Sequence, residues 1–280
     1  MLTLILMIVV GGVAGYFSWT AGEGGHWFLG SLAFIAAAIA ASLPINIWVK
    51  KRMMAVYNKI QTAIAASQEV LKRKVATYQS RGIGGPRVVA ELEQEQIDAI
   101  RNVIPMVDEL KPLRLWNILV GKQANLFKGQ LLFQIRDYEA ARPLLENAMA
   151  LDPMIVCMQM VLHWKANPDE TKKLDGMFNR GVGRFKYEKS KMIYALYSWI
   201  LVKQNRLSEA VSTLEEGKKK TDDPVLAQNW EHLANKRLNR FSNAGLGDQW
   251  YALGLETPAP VRQQQQMPFG GRPMRGGFRR

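Results

Sequence analysis

The chain has 280 residues, 48% of them apolar and 22% charged, with a formal charge of +13. Its single cysteine, Cys157, excludes a disulfide framework and fits a reducing compartment. The charge is localised: residues 50–87 carry +8, residues 258–280 carry +5, and the remainder sums to zero, which excludes a folded body built as a basic nucleic-acid surface.

The first 49 residues hold one charged side chain, Glu23, and the next three residues are Lys50, Lys51 and Arg52. Two apolar stretches precede that boundary, Leu2 to Trp19 and Trp27 to Val49. Each is near the length of about 20 residues that a helix needs to cross a bilayer core. The link from Thr20 to His26 is short and Gly-rich, so residues 1–49 are predicted to form an antiparallel transmembrane hairpin. Gly11 and Gly15 on one stretch, and Ala33, Ala37 and Ala41 on the other, are small residues spaced for close helix approach in lipid. Trp19, Trp27 and Trp48 stand where an aromatic belt belongs, and Pro44 is a candidate kink. The basic cluster after residue 49 places that end in the cytoplasm and the Glu23 loop on the far side, an arrangement that suits a bacterial inner membrane. The competing reading is a cleaved signal peptide followed by one span. It lacks Lys or Arg in the first ten residues and a clear small-x-small cleavage site.

Residues 50–112 are predicted to be a juxtamembrane helical stalk. Lys50, Lys51 and Arg52 are candidate contacts for anionic lipid head groups. Met53, Tyr57, Ile60, Ile64, Leu71 and Tyr78 form one apolar stripe at three-four spacing. Three uses remain open for it: a homo-oligomeric coiled coil through residues 53–78, a helix lying on the bilayer, or a helix packed on its own domain. The run RGIGGPR, Arg81 to Arg87, is predicted to be a hinge, since a phosphate loop needs Lys-Ser/Thr after its glycines and a strand before them. Val88 to Leu110 reads as a helix whose acidic start, Glu91, Glu93 and Glu95, complements the helix dipole. Pro105 is expected to end or bend it, and Pro112 to open the next helix.

From Leu113 to about Leu255 the pattern is helical throughout, with no strand alternation. Breaks are expected at Asp137, Asp152-Pro153, Asn167-Pro168, Gly181 to Gly183, Asn205-Arg206 and Asp222 to Pro224. Helices of about 12–18 residues with such short turns imply antiparallel pairs. The turn sequences Asp137-Tyr138-Glu139-Ala140-Ala141 and Arg206-Leu207-Ser208-Glu209-Ala210 lie 69 positions apart, close to twice the 34-residue period of helix-turn-helix repeats. The segment Lys122 to Pro153, with Gly129, Tyr138, Ala141, Ala148 and Pro153 at its marked positions, resembles the tetratricopeptide repeat family. Met192 to Pro224 is a more degenerate match, with Ser198 for the glycine, Ala210 retained and Gly217 for the second alanine. Met154 to Arg184 would be a third pair, and Pro224 to Phe241 a fourth unit or cap, with Asp248 to Leu255 a short final helix. The expected fold class is therefore all-α: a transmembrane hairpin, a stalk, and a tetratricopeptide-like solenoid over 113–257.

This resemblance implies a concave surface for a protein or peptide partner, made by the first helix of each pair. On this chain its candidates are Gln123, Leu126, Gln130, Phe133 and Gln134, then Met192, Trp199, Val202 and Lys203. For Phe133 and Trp199 the alternative is packing in the core. The family's carboxylate-clamp variant uses Lys, Arg and Asn where Leu126 and Gln130 stand, so an apolar peptide or helix is the better fit.

Nothing in the chain carries a catalytic or metal-binding pattern. His26, His163 and His232 are far apart, and Cys157 lies in an apolar run as a small hydrophobe. An enzyme, a cofactor and a metal are not expected. Residues 258–280 are rich in Pro, Gly, Gln and Arg and are predicted to be disordered. Within them Arg272, Arg275, Arg279 and Arg280, interleaved with Phe269 and Phe278, are candidate contacts for anionic lipid or RNA. The leading function is a membrane-anchored scaffold that faces the cytoplasm. The alternative is a membrane-tethered RNA or ribosome binder acting through the tail.

Overall fold

The computed structural model describes residues 2–20 and 27–257. The Glu23 loop, His26 and the arginines of the tail, Arg272, Arg275, Arg279 and Arg280, lie outside the described residues. All regular structure in the described residues is helical.

Helix α1 (Leu2–Thr20) packs along the first part of α2 (Trp27–Ser80). Small residues set their approach. A Cβ at Gly11 would stand 2.9 Å from the Phe34 ring, and one at Gly15 would stand 3.2 Å from the Gly30 carbonyl oxygen. Ala33, Ala37 and Ala41 are partly covered on the same side, and Ala38 is buried. The remaining large side chains point outward: Leu4, Ile8, Phe17, Ile35, Ile39, Leu43 and Ile47 are all more than half exposed. By length and composition α2 is able to cross a membrane, and its most apolar window has a mean hydropathy of 2.0.

Helix α2 continues without a break through Pro44 and the basic cluster for 54 residues, roughly 80 Å at 1.5 Å per residue. The chain then reverses at Gly82 (φ 64°) and Gly85 (φ 131°), positions where a side chain would be strained. Pro86 opens α3 (Pro86–Val107), which runs back antiparallel to α2. Lys74 pairs with Glu95, the Tyr78 hydroxyl donates to Glu91 at 3.0 Å, and Lys59 meets Glu109 at 2.5 Å. Two of the three acids at the start of α3 thus bind α2. Pro105 does not end α3; a 3₁₀ segment, Asp108–Leu115, follows it. Met53, Tyr57, Ile60, Ile64, Leu71 and Tyr78 are all covered to some degree, Ile60 completely, and Tyr57 meets Phe127 at a centroid distance of 5.2 Å. Of the three uses open to that stripe, the structure shows packing within the chain.

The body is built from α4 (Ile118–Gln134), α5 (Tyr138–Leu145), α6 (Pro153–Ala166), α7 (Thr171–Arg184), α8 (Lys191–Lys203), α9 (Leu207–Thr221), α10 (Pro224–Ala234) and the short α11 (Asp248–Tyr251). Asn117, Asp137, Asp152 and Asp223 cap α4, α5, α6 and α10, each accepting a backbone N–H. Consecutive helices from α4 to α10 pack on one another, and α8 also meets α6 and α10.

Two local expectations are corrected. The second helix of the first pair stops at Leu145 after eight residues, so Ala148 lies beyond it. Pro143 has no N–H to give within it. The Gln159 side chain instead donates to the Leu145 carbonyl at 2.7 Å and the Ala148 carbonyl at 3.0 Å, replacing the next helical turn. Gly181 to Gly183 do not break the chain but sit inside α7. A Cβ at Gly181 would stand 3.0 Å from Val156 and 3.2 Å from Ile193, so this glycine brings α7 against α6 and α8.

Glycines in this body have opposite roles, which one substitution separates. A Cβ at Gly129 would stand 2.8 Å from Leu145 Cγ and 3.1 Å from Leu144 Cβ, whereas one at Gly176 meets nothing within 4 Å. Gly129→Ala is expected to lower stability by about 1–3 kcal/mol through overpacking. Gly176→Ala is expected to raise it by about 0.5–1 kcal/mol through helix propensity. Denaturant unfolding of the full chain in detergent, followed by circular dichroism, reads both signs.

Candidate functional site

The expected concave surface is only partly available. On α4, Gln123 and Gln134 are exposed and Leu126 and Gln130 partly buried, but Phe133 is 1% exposed and packs edge-on against Tyr138 at 5.3 Å. On α8, Lys203 is exposed and Val202 partly buried, while Met192 and Trp199 are buried. Phe133, Met192 and Trp199 are therefore core residues and not contacts for a partner. For Met192 and Trp199 the reason lies in α8, which has no polar face to turn outward: every residue from Met192 to Leu201 is buried.

What covers Trp199 is a later stretch of the same chain, together with α6. Its ring meets Trp164 of α6 at 5.2 Å and Trp250 of α11 at 6.1 Å. The two oxygens of Glu256 accept from the Trp199 and Trp250 indole Nε1–H groups, each at 2.8 Å. Gly254 (φ 65°) passes so close to Tyr138 that a Cβ there would stand 2.7 Å from its hydroxyl. Residues 248–257 thus fill the hollow that the resemblance assigned to a partner. Glu256, which makes both bonds, stands five residues beyond α11 and carries no helical periodicity by which the sequence could mark it.

An open cleft of about 530 Å³ lies elsewhere, between α6, α7 and the loop after α5. The early stop of α5 exposes Met149 (58%) and Leu151 (57%), and the close packing at Gly181 sets the opposite wall. Met149, Met177, Glu146, Lys173, Arg180 and Arg184 line it. Among the described residues Lys173, Arg180 and Arg184 have no acidic partner. The cleft therefore offers polarizable methionines beside a net positive charge, three cations to the one carboxylate of Glu146.

His163 stands at the inner end of this cleft, 3% exposed. Its Nε2 lies 3.2 Å from a Glu170 carboxylate oxygen without hydrogen-bond alignment. Burial, and then Lys173, push its pKa below the ordinary value, against the pull of Glu170 and Glu146. Cys157 is fully buried, and burial pushes its thiol far above the ordinary range, so it is not a nucleophile. Among the described residues no three His, Cys, Asp or Glu side chains converge on a metal position. Lys50, Lys51 and Arg52 are exposed on α2 directly after the buried Val49. Comparison of the chain with protein families, curated proteins and solved structures finds no match in any of the three.

Two outcomes follow. The unfolded chain binds a proton at His163 near pH 6.5 while the folded one resists it, so stability is level above that pH and falls as pH drops through it. His163→Gln flattens that slope in unfolding curves measured between pH 7.5 and 5. Glu256→Ala leaves two indole N–H groups without an acceptor and is expected to cost about 1–3 kcal/mol, with a red shift of tryptophan emission as residues 248–257 loosen.

Proposed function

We propose that this protein is a membrane-anchored adaptor. Its apolar helices α1 and α2 form a transmembrane hairpin, and its tetratricopeptide-like helical body holds a protein partner beside the membrane on the cytoplasmic side. Support for the anchor comes from the outward-facing apolar side chains of α1 and α2, which the described residues leave uncovered and which lipid would solvate. Support for the orientation comes from Lys50, Lys51 and Arg52 at the end of the apolar run.

The observation that carries partner binding is the cleft between α6 and α7. An acidic segment with one or two apolar residues fits it: the apolar groups would rest on Met149 and Met177, and the carboxylates would meet Lys173, Arg180 and Arg184. This moves the docking site from the hollow filled by Trp250 to a surface one helix pair away. Tethering to the membrane would raise the effective concentration of such a partner there.

Affinity purification from solubilised membranes tests the reading with three baits: the intact chain, a chain ending at Thr257, and the Arg180→Glu/Arg184→Glu variant. The expected result is a protein partner that survives loss of the tail and falls about tenfold with charge reversal, the effect of about 1.4 kcal/mol. The variant must melt as the parent does. Material lost only with the tail, and identified as RNA or ribosomes, would overturn the adaptor reading in favour of tail-mediated binding.

A further inference from the structure

The start of α1 and the apolar part of α2 both meet Trp116, just before α4. The Thr3 hydroxyl, at the start of α1, donates to the Trp116 carbonyl at 2.6 Å. The Trp116 ring meets the Trp48 ring edge-on at 6.0 Å, and Pro44, Ile45, Trp48 and Trp116 line a small apolar cleft. Trp116 therefore sits where α1 begins and where α2 passes from apolar sequence into Lys50. On either side of it, Leu115 and Leu119 are 60% and 57% exposed. The local structure holds both out: a 3₁₀ segment ends at Leu115, and the Asn117 cap accepts from the Leu119 N–H at 2.9 Å to start α4.

Two large uncovered leucines flanking a tryptophan are unfavourable in water. Arg114 and Lys122 are exposed beside them, and neither has an acidic partner among the described residues. Apolar groups bounded by tryptophan and cations are the composition of an element that enters the boundary between head groups and acyl chains.

We propose that the segment Arg114–Leu119 is a second, peripheral membrane contact: Leu115 and Leu119 insert into the anionic leaflet that α1 and α2 cross, fixing how the helical body stands on the bilayer. The occupant is the lipid surface because the segment is bonded to α1 at its start and packed on α2 where its apolar run ends, where bilayer is the neighbouring medium. The inference rests on the reading of α1 and α2 as spanning helices, and its test separates the two.

The full chain is labelled with an environment-sensitive fluorophore at Leu119→Cys, at Ala40→Cys in the apolar part of α2, or at Ser212→Cys, exposed on α9. The buried Cys157 stays unlabelled under native conditions, which the parent chain verifies. Each protein is reconstituted into vesicles of zwitterionic and anionic phospholipid carrying a spin-labelled quencher, either near the head group or deep in the acyl chains. The expected result is shallow quenching and blue-shifted emission at Leu119→Cys, deep quenching at Ala40→Cys, and neither at Ser212→Cys. Removing the anionic lipid should reduce quenching at Leu119→Cys by about twofold or more. If Leu119→Cys behaves as Ser212→Cys does while Ala40→Cys is quenched, the peripheral contact is wrong and the spanning reading stands. If Ala40→Cys is not quenched either, both fall. If Leu119→Cys is equally blue-shifted in detergent, with a dependence on protein concentration, a second copy covers the segment and the lipid assignment is overturned.

Discussion

The body of this protein is organised by the need to cover α8. A helix with ten consecutive buried residues, Met192 to Leu201, has no face it can show to water, so protein must lie on every side of it. Helices α6, α7, α9 and α10 supply most of that cover, and the chain returns after α10 to supply the rest with Trp250 and Leu253. The polar side-chain atoms that α8 carries inward are each hydrogen-bonded. Ser198 donates to the Ala195 carbonyl, which also accepts from Asn243 at 3.0 Å, and Asn243 accepts in turn from Asn229 at 2.8 Å. Burial, and then a bond to Glu216, push the Tyr194 hydroxyl up to about 12, so it remains a donor.

The same requirement explains the charge network on the flank of α8. Tyr197 donates to Asp175 at 2.6 Å, and Arg206 reaches both Asp175 and Glu209. One guanidinium thus ties α7 to the turn between α8 and α9, over the stacked rings of Phe178 and Tyr197, 4.1 Å apart. The cleft of about 530 Å³ lies where α5 stops short. In the proposed function that interruption creates the docking cleft, and the long α2, shared between the apolar hairpin and the body, fixes its distance from the bilayer.

Much of the helix order was legible in the sequence because its signals are short-range. Asn and Asp caps, Pro at first turns and the glycines of the 81–87 reversal act within a few residues of themselves. Gly129, marked by resemblance, does lie at a tight crossing. Gly181 to Gly183 misled because a glycine is the same residue whether it breaks a helix or lets two helices touch, and only the partner, here Val156, decides between them. Phe133, Met192 and Trp199 misled because a helical face can be read from spacing while its neighbour cannot. The composition of α8 held a usable warning: MIYALYSWILV contains no polar stripe, and a helix lining an open groove needs one exposed face.

The sequence by itself determined that the chain is helical, where most helices begin, and that its apolar and basic stretches meet at residue 50. These follow from local hydrogen bonding, capping and the length of uncharged runs. The tertiary structure alone decided that the stripe from Met53 to Tyr78 is covered by the chain's own helices, that residues 248–257 occupy the hollow, and that Trp116 meets Thr3 and Trp48. Those outcomes depend on contacts between different helices, some of them far apart in sequence, such as Thr3 with Trp116, 113 positions apart. Such contacts are set by shape and by the competition of many apolar surfaces for cover, and no local pattern of residues encodes that competition.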